Sequence, residues 1–193
     1  MGKRLFVLSG PRGSGKTTAC REGIALARQR GLDCAGILCP ARFAEGRKTG
    51  IDLLDVRGGE CRPLAMVDDL PGDLRMGRFR FDTQVMDWGT AILSAACPCD
   101  VLFVDEIGPL ELERGQGWVN ALEVLRAGRF GVGVAVVRPR LVDAFCWAVG
   151  DVPLSVLTMP PLDILGWLGR WYACLGNGAV FPRRSHQAGR RSP

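Results

Sequence analysis

The sequence predicts an α/β protein, a mainly parallel sheet with helices on both faces, and three observations predict it. Short apolar runs alternate with helix-length amphipathic segments, the order that builds parallel sheets. A glycine-rich turn, Gly10-Pro11-Arg12-Gly13-Ser14-Gly15-Lys16-Thr17, joins the first apolar run to the first helix. A second apolar run, Val101 to Val104, ends in two acids, Asp105 and Glu106. Ligands of such sheets bind at the carboxyl ends of the strands, and both polar features fall at such ends.

Size and composition fit this class. A chain of 193 residues suits one domain. It is 47% hydrophobic and 23% charged, the balance of an ordinary globular protein. Residues 1–175 are expected to form that domain, and 176–193 a basic, disordered tail rich in Gly, Pro, Ser and Arg. The formal charge of +5 is concentrated there: Arg183, Arg184, Arg190 and Arg191 have no acid among them, and without these four the body carries +1. Nucleic acid is therefore not an expected partner, and a solvated end accounts for the tail. No run reaches the roughly eighteen apolar residues of a membrane span. The apolar run after Met1-Gly2-Lys3-Arg4 is too short for a secretory segment, and Phe6 stands where a myristoylation signal needs Ser or Thr. The expected location is cytoplasmic, with no membrane partner.

The elements follow in order. Residues 4–9 are apolar enough for a strand buried on both faces. A helix is expected from about Lys16 to Arg30, with Ala19, Cys20, Gly23, Ile24 and Ala27 inward and Gly31 as its stop. Residues 34–39 form a second strand closed by Pro40, and 41–47 read as a flexible polar loop. Two β-like runs, 49–56 and 61–67, flank Arg57-Gly58-Gly59-Glu60 and predict a hairpin inserted beside the main sheet. Residues 68–77 look like a loop, and 79–81 a short strand. Asp82 or Thr83 can then cap a helix from about Gln84 to Ala96. A strand at 100–106, helices near 116–127 and 139–148, strands at 132–137 and 152–159, and a helix near 162–173 complete the alternation.

The turn at Gly10–Thr17 has the G-x-x-x-x-G-K-T pattern that cradles phosphate. Its glycines let successive N–H groups point inward, Lys16 can reach β/γ-phosphates, and the Thr17 hydroxyl can ligate Mg²⁺. The helix dipole adds positive potential at the same spot. Gly10, Pro11, Arg12, Gly13, Ser14, Gly15, Lys16, Thr17 and Thr18 are the expected binding residues for a nucleoside triphosphate such as ATP or GTP. Asp105 emerges from a buried strand and suits the Mg²⁺ shell, since Mg²⁺ takes one or two carboxylates plus phosphate and water. Glu106 is a candidate to accept a proton from water, with a salt bridge to a nearby arginine as the ordinary alternative.

The segment Asp105-Glu106-Ile107-Gly108-Pro109-Leu110-Glu111-Leu112 resembles the D-E-I-G-x-[ML]-E-L signature of the cancer-related (thermophile-type) nucleoside-triphosphatase family. The order of parts is similar too. Gly10 to Thr18 comes first, Arg47-Lys48-Thr49-Gly50-Ile51-Asp52 resembles R-x-x-G-F-D, and Gly77 to Asp82 resembles G-x-Y-x-V-D. The similarity covers residues 4–145. It implies a P-loop NTPase three-layer sandwich with a β-hairpin insertion. It also implies hydrolysis of ATP, GTP and other nucleoside triphosphates, with Lys16 and Thr17 on phosphate and Mg²⁺, Asp105 in the Mg²⁺ shell and Glu106 activating water. Ile51 departs from the family's aromatic, and Pro109 from a polar residue.

An arginine should neutralise the transition state. Arg138, just after the strand at 132–137, is the preferred candidate, with Arg12, Arg42 and Arg47 as competitors. No N-K-x-D element for guanine is present in the last third of the chain. The only histidine, His186, lies in the tail, which excludes a histidine base in the body. Of eight cysteines only Cys97-Pro98-Cys99 is a tight pair, and no Cys/His set completes a four-ligand metal site. Two other functions are compatible with the motifs. One is a nucleotide or small-metabolite kinase using Arg75, Arg78 and Arg80 as a lid. The other is a nucleotide-regulated adaptor meeting a protein partner through the hairpin or tail.

Overall fold

One continuous ten-stranded sheet organises the structure, a computed structural model that describes residues 3–67 and 74–159. Its parallel half contains β1 (Arg4–Ser9), β2 (Cys34–Leu38), β8 (Cys99–Ile107), β9 (Phe130–Val137) and β10 (Leu154–Thr158). Its antiparallel half contains β3 (Ala41–Ala44), β4 (Arg47–Asp55), β5 (Cys61–Val67), β6 (Arg75–Met76) and β7 (Phe79–Phe81). The order is β10-β1-β9-β8-β2-β4-β5-β7-β6, with β3 paired to β4. The predicted hairpin is thus not an appendage. β4 pairs antiparallel with β2 through Ile37–Asp55 and Leu38–Leu54, and the sheet simply continues.

Burial explains the central strands. Leu5, Val7, Leu8, Val101, Leu102 and Phe103 have no exposed surface, as strands covered on both faces require. On one face α1 (Lys16–Gln29) packs Ala19, Cys20, Ile24 and Ala27 against Phe6, Leu8, Phe103 and Val134. Its buried residues are the five read from the sequence, Gly23 included. On the other face lie α2 (Thr83–Ser94), α4 (Asn120–Ala127) and α5 (Val142–Val149), which meet Leu102, Val104 and Ala135. Asp82 caps α2 as expected, accepting from the N–H groups of Gln84 and Val85.

Four expectations need correction. Residues 41–47 are not a loop: Ala41–Ala44 is a strand, all four residues exposed, folded onto β4 through a turn at Glu45-Gly46. The helix expected near 116–127 is α4, which starts later, at Asn120, and an unexpected short helix, α3 (Pro109–Arg114), precedes it inside the acidic signature, with Gly115 to Val119 between them. The helix near 139–148 begins with a 3-10 turn at Pro139–Leu141 before α5. In the expected loop 68–77, Arg75–Met76 is a strand paired with β7, and 68–73 lie outside the described residues. The helix near 162–173 and the tail also lie outside them. No helix among the described residues is long and apolar enough to cross a membrane.

Candidate active site

The carboxyl ends of β1, β8 and β9 bring three sequence features together. Behind β1 the loop turns into α1 with Gly13 and Gly15 at φ +75° and +85°, left-handed conformations that glycine adopts without a Cβ clash. Pro11, Arg12 and Gly13 form the exposed crest, Ser14 is buried, and Thr18 points to solvent on the first turn of α1. Gly10 is buried against Met159, where an added Cβ would meet the Met159 carbonyl oxygen at 2.8 Å. Lys16 folds back over the loop and donates from Nζ to the carbonyls of Gly10 (2.9 Å) and Pro11 (2.8 Å). These are the loop's own substitutes for anionic oxygens.

Asp105 faces this loop. Thr17 Oγ1 donates to its Oδ2 at 2.8 Å across 88 positions of sequence, and the Cys39 backbone N–H donates to the same oxygen at 3.2 Å. The carboxyl is 3% exposed. Burial, aided by the Glu106 charge, pushes its pKa from 3.8 up to about 6, against the pull of Thr17, Cys39 and Lys16.

Glu106, partly exposed, follows through a cis peptide bond where the pairing of β8 with β9 breaks register between Val104 and Ile107. It accepts a 2.6 Å hydrogen bond at Oε1 from Arg138 Nε. The salt bridge named as the ordinary alternative for Glu106 is thus present, and its partner is the arginine expected to neutralise charge. Of the competing arginines, Arg42 is engaged with Asp52 at 3.1 Å, and Arg12 and Arg47 are exposed.

The structure adds two side chains that sequence reasoning missed. Lys48, on β4, is half-buried with its ammonium in the field of Glu106, Asp105 and Arg12; burial lowers its pKa. Its Nζ lies 5.5 Å from the Phe79 ring centroid. The sequence signal is its position beside Arg47, in the stretch resembling R-x-x-G-F-D. Glu111 is 8% exposed and entirely occupied: Oε2 accepts from the Gly108 N–H at 2.9 Å and Oε1 from the Trp118 N–H at 3.1 Å. Burial raises its pKa. It ties the end of β8 to the segment between α3 and α4, and Gly117 lets that segment approach, since a Cβ there would meet Oε1 at 2.3 Å. Ile51, the departure from an aromatic, packs against the core. Arg75, Arg78 and Arg80 lie on the β6–β7 hairpin at the far edge of the sheet, and Arg78 donates to the Lys48 carbonyl at 2.8 Å.

A family model described as NTPase matches residues 5–146, from β1 through the Arg138 turn into α5. The chain belongs to this NTPase family. The family match contains the loop, both acids and Arg138. Among similar proteins, the nucleoside-triphosphatase THEP1 of Ignicoccus hospitalis is 37% identical over 138 residues, 72% of this chain and 77% of that protein. THEP1 of Caldivirga maquilingensis is 28% identical over 140 residues, covering 72% and 79%. Two solved structures share the fold of this NTPase. A human cancer-related nucleoside triphosphatase in solution superposes with a TM-score of 0.69 over 90% of this chain and 97% of that one, at 21% identity. Crystalline THEP1 from Aquifex aeolicus gives 0.63 over 86% and 98%, at 18% identity.

Proposed function

We propose that this NTPase is a Mg²⁺-dependent hydrolase of ATP, GTP and other nucleoside triphosphates, using Lys16, Thr17, Asp105, Glu106 and Arg138. The observation that carries this reading is the 2.8 Å contact between Thr17 and Asp105, which joins the phosphate-type loop to the acidic strand end. The oxygens of Thr17 and Asp105 are hard donors of the kind Mg²⁺ selects, and a single carboxylate suffices where phosphate supplies further oxygens. Bound there, Mg²⁺ would neutralise charge developing on the phosphates.

The chain's own residues account for the rest. Main-chain N–H groups from Arg12 to Thr18 supply the cradle, and Lys16 exchanges the carbonyls of Gly10 and Pro11 for phosphate oxygens. Glu106 orients a water and takes its proton, and Arg138 holds that carboxylate while offering its remaining N–H groups to charge on the transferred phosphoryl. Lys48 adds a second positive charge in the field of Glu106 and Asp105. The free thiols at Cys20, Cys34 and Cys39 support a reducing, cytoplasmic setting.

Phosphate release from ATP, GTP, CTP and UTP, with and without Mg²⁺, tests this reading on wild type and Lys16→Ala. Mg²⁺-dependent release lost in the variant is expected. Faster transfer to nucleoside monophosphates or small alcohols than to water would replace it with the kinase reading.

A further inference from the structure

β4 and the β6–β7 hairpin are not neighbours in the sheet, because β5 lies between them. β5 makes its last pairs at Gly50–Met66 with β4 and at Val67–Phe79 with β7. Past that point the turn of the hairpin reaches β4 directly. Arg78 donates from its guanidinium to the Lys48 carbonyl at 2.8 Å, across 30 positions of sequence. The same guanidinium lies 5.3 Å from the Phe79 ring centroid, and the Lys48 Nζ lies 5.5 Å from that ring, both within cation–π reach. An exposed arginine thus holds the main chain of Lys48 while the neighbouring ring steadies its ammonium.

Lys48 is half-buried and makes no ion pair among the described residues. A lysine stem is flexible, and a partly desolvated ammonium is costly until an anion meets it. Strand register brings it within reach of the nucleotide site. Lys48 stands opposite Phe43, four residues beyond Cys39, whose N–H donates to Asp105. The charges of Glu106 and Asp105 act on its ammonium and favour the charged form.

We propose that, in the triphosphate site read above, Arg78 and Phe79 are positioning residues that hold Lys48 for the terminal phosphate, so that the β6–β7 hairpin helps to distinguish a nucleoside triphosphate from a diphosphate. Glu106 is the group assigned to the attacking water, so a cation in its field faces the terminal phosphoryl group rather than the inner phosphates. The loop N–H groups and Lys16 bind a diphosphate as well. The contact also joins two separate motifs: Lys48 lies in the stretch resembling R-x-x-G-F-D, and Phe79 takes the aromatic position of the stretch resembling G-x-Y-x-V-D. Arg78, a lid candidate in the kinase reading, is engaged in this brace instead.

Calorimetric titration of the full chain with AMP-PNP and with ADP, both with Mg²⁺, tests this without relying on turnover. Lys48→Ala should weaken AMP-PNP binding about tenfold and Arg78→Ala about fivefold, with ADP affinity unchanged in each. Phe79→Leu removes the face of the ring and should weaken AMP-PNP about threefold, whereas Phe79→Tyr keeps it and should bind like wild type. Adding Arg78→Ala to Lys48→Ala should cause no further loss, since both act through one ammonium. Equal weakening of AMP-PNP and ADP, unchanged AMP-PNP affinity in Arg78→Ala, or additive losses in the double variant would overturn the proposal. Mg²⁺-dependent phosphate release by wild type, with the AMP-PNP to ADP ratio unmoved in the Arg78 and Phe79 variants, would remove the brace and leave the hydrolase reading standing. A wild type that binds AMP-PNP but releases no phosphate from ATP would remove that reading, and a ratio that still shifts in the variants would retain the brace.

Discussion

Glu106 and Arg138 form an ion pair, with Oε1 accepting from Nε at 2.6 Å, so the acid at the end of β8 is oriented by the residue that closes β9. Strand pairing sets this up. β8 and β9 run parallel, Ile107 registers with Val137, and the side chains immediately before and after those residues meet at one edge. A carboxylate that merely paired with arginine would be catalytically idle. Here the pair follows directly on Asp105, and in the proposed function it orients the base.

Replacing Glu106 with Gln should retain nucleotide binding and lower kcat by about 10²–10⁴-fold, the usual worth of a positioned general base. Single-turnover phosphate release alongside a fluorescent-nucleotide titration separates the two effects. Normal turnover in this variant would remove Glu106 from the chemistry.

Arg138→Ala is expected to lower kcat by about 10²-fold, in the range seen when one transition-state donor is removed, with a smaller change in KM. Arg138→Lys retains charge but not the fork, so partial rescue is expected. An equal rise in KM at constant kcat would assign Arg138 to ground-state binding instead.

Much of this arrangement was legible in the sequence because it depends on local chemistry. A glycine-rich turn behind an apolar strand specifies its own conformation, and Val101 to Val104 announces a buried strand whose next residue must emerge at an edge. β3 was illegible for the opposite reason. Its four residues are exposed, so no apolar alternation marks them, and pairing with β4 alone makes them a strand. Lys48 was hidden by the same cause, since its neighbours belong to β8 and the loop, brought near only by the pairing of β4 with β2. The break between α3 and α4 comes at Gly115, left-handed at φ +60°, and is held by Glu111 bonding to Trp118, a contact no periodicity encodes.

The Asp105 carboxyl gives the metal-free protein a pH signature. It ionises near pH 6 in the fold against 3.8 in a free chain. Between those values the folded chain binds the proton more tightly than the unfolded chain, so stability falls as pH rises through the window. The full effect corresponds to about 2–3 kcal/mol. Asp105→Asn does not titrate. In EDTA, its urea-unfolding free energy should therefore gain on wild type as pH rises from about 4 to 7, while its Mg²⁺-dependent hydrolysis is lost. Parallel pH profiles for the two proteins would contradict the buried, raised carboxyl.

Lys48→Ala should slow hydrolysis by about tenfold if its charge serves the phosphoryl group, and Lys48→Arg should restore most of the rate. A purely structural lysine, packed on Phe79, would instead show its loss in thermal stability with kcat unchanged.

Glu111→Gln tests what the buried acid of the signature contributes. Both carboxylate oxygens accept main-chain N–H groups, from Gly108 and Trp118. An amide has one acceptor oxygen, so one N–H would face an NH₂ group in a buried site. Leaving a buried donor unsatisfied costs about 1–3 kcal/mol, which lowers the urea midpoint with the m-value unchanged. Asp at this position keeps both acceptors on a stem one methylene shorter, too short to span Gly108 and Trp118 together. Glu111→Asp should therefore fall as far as Glu111→Gln, and kcat should fall in both, because the Gly108–Trp118 tie fixes the end of β8 that carries Glu106. A variant that kept wild-type stability and rate would show that this tie does not position the base.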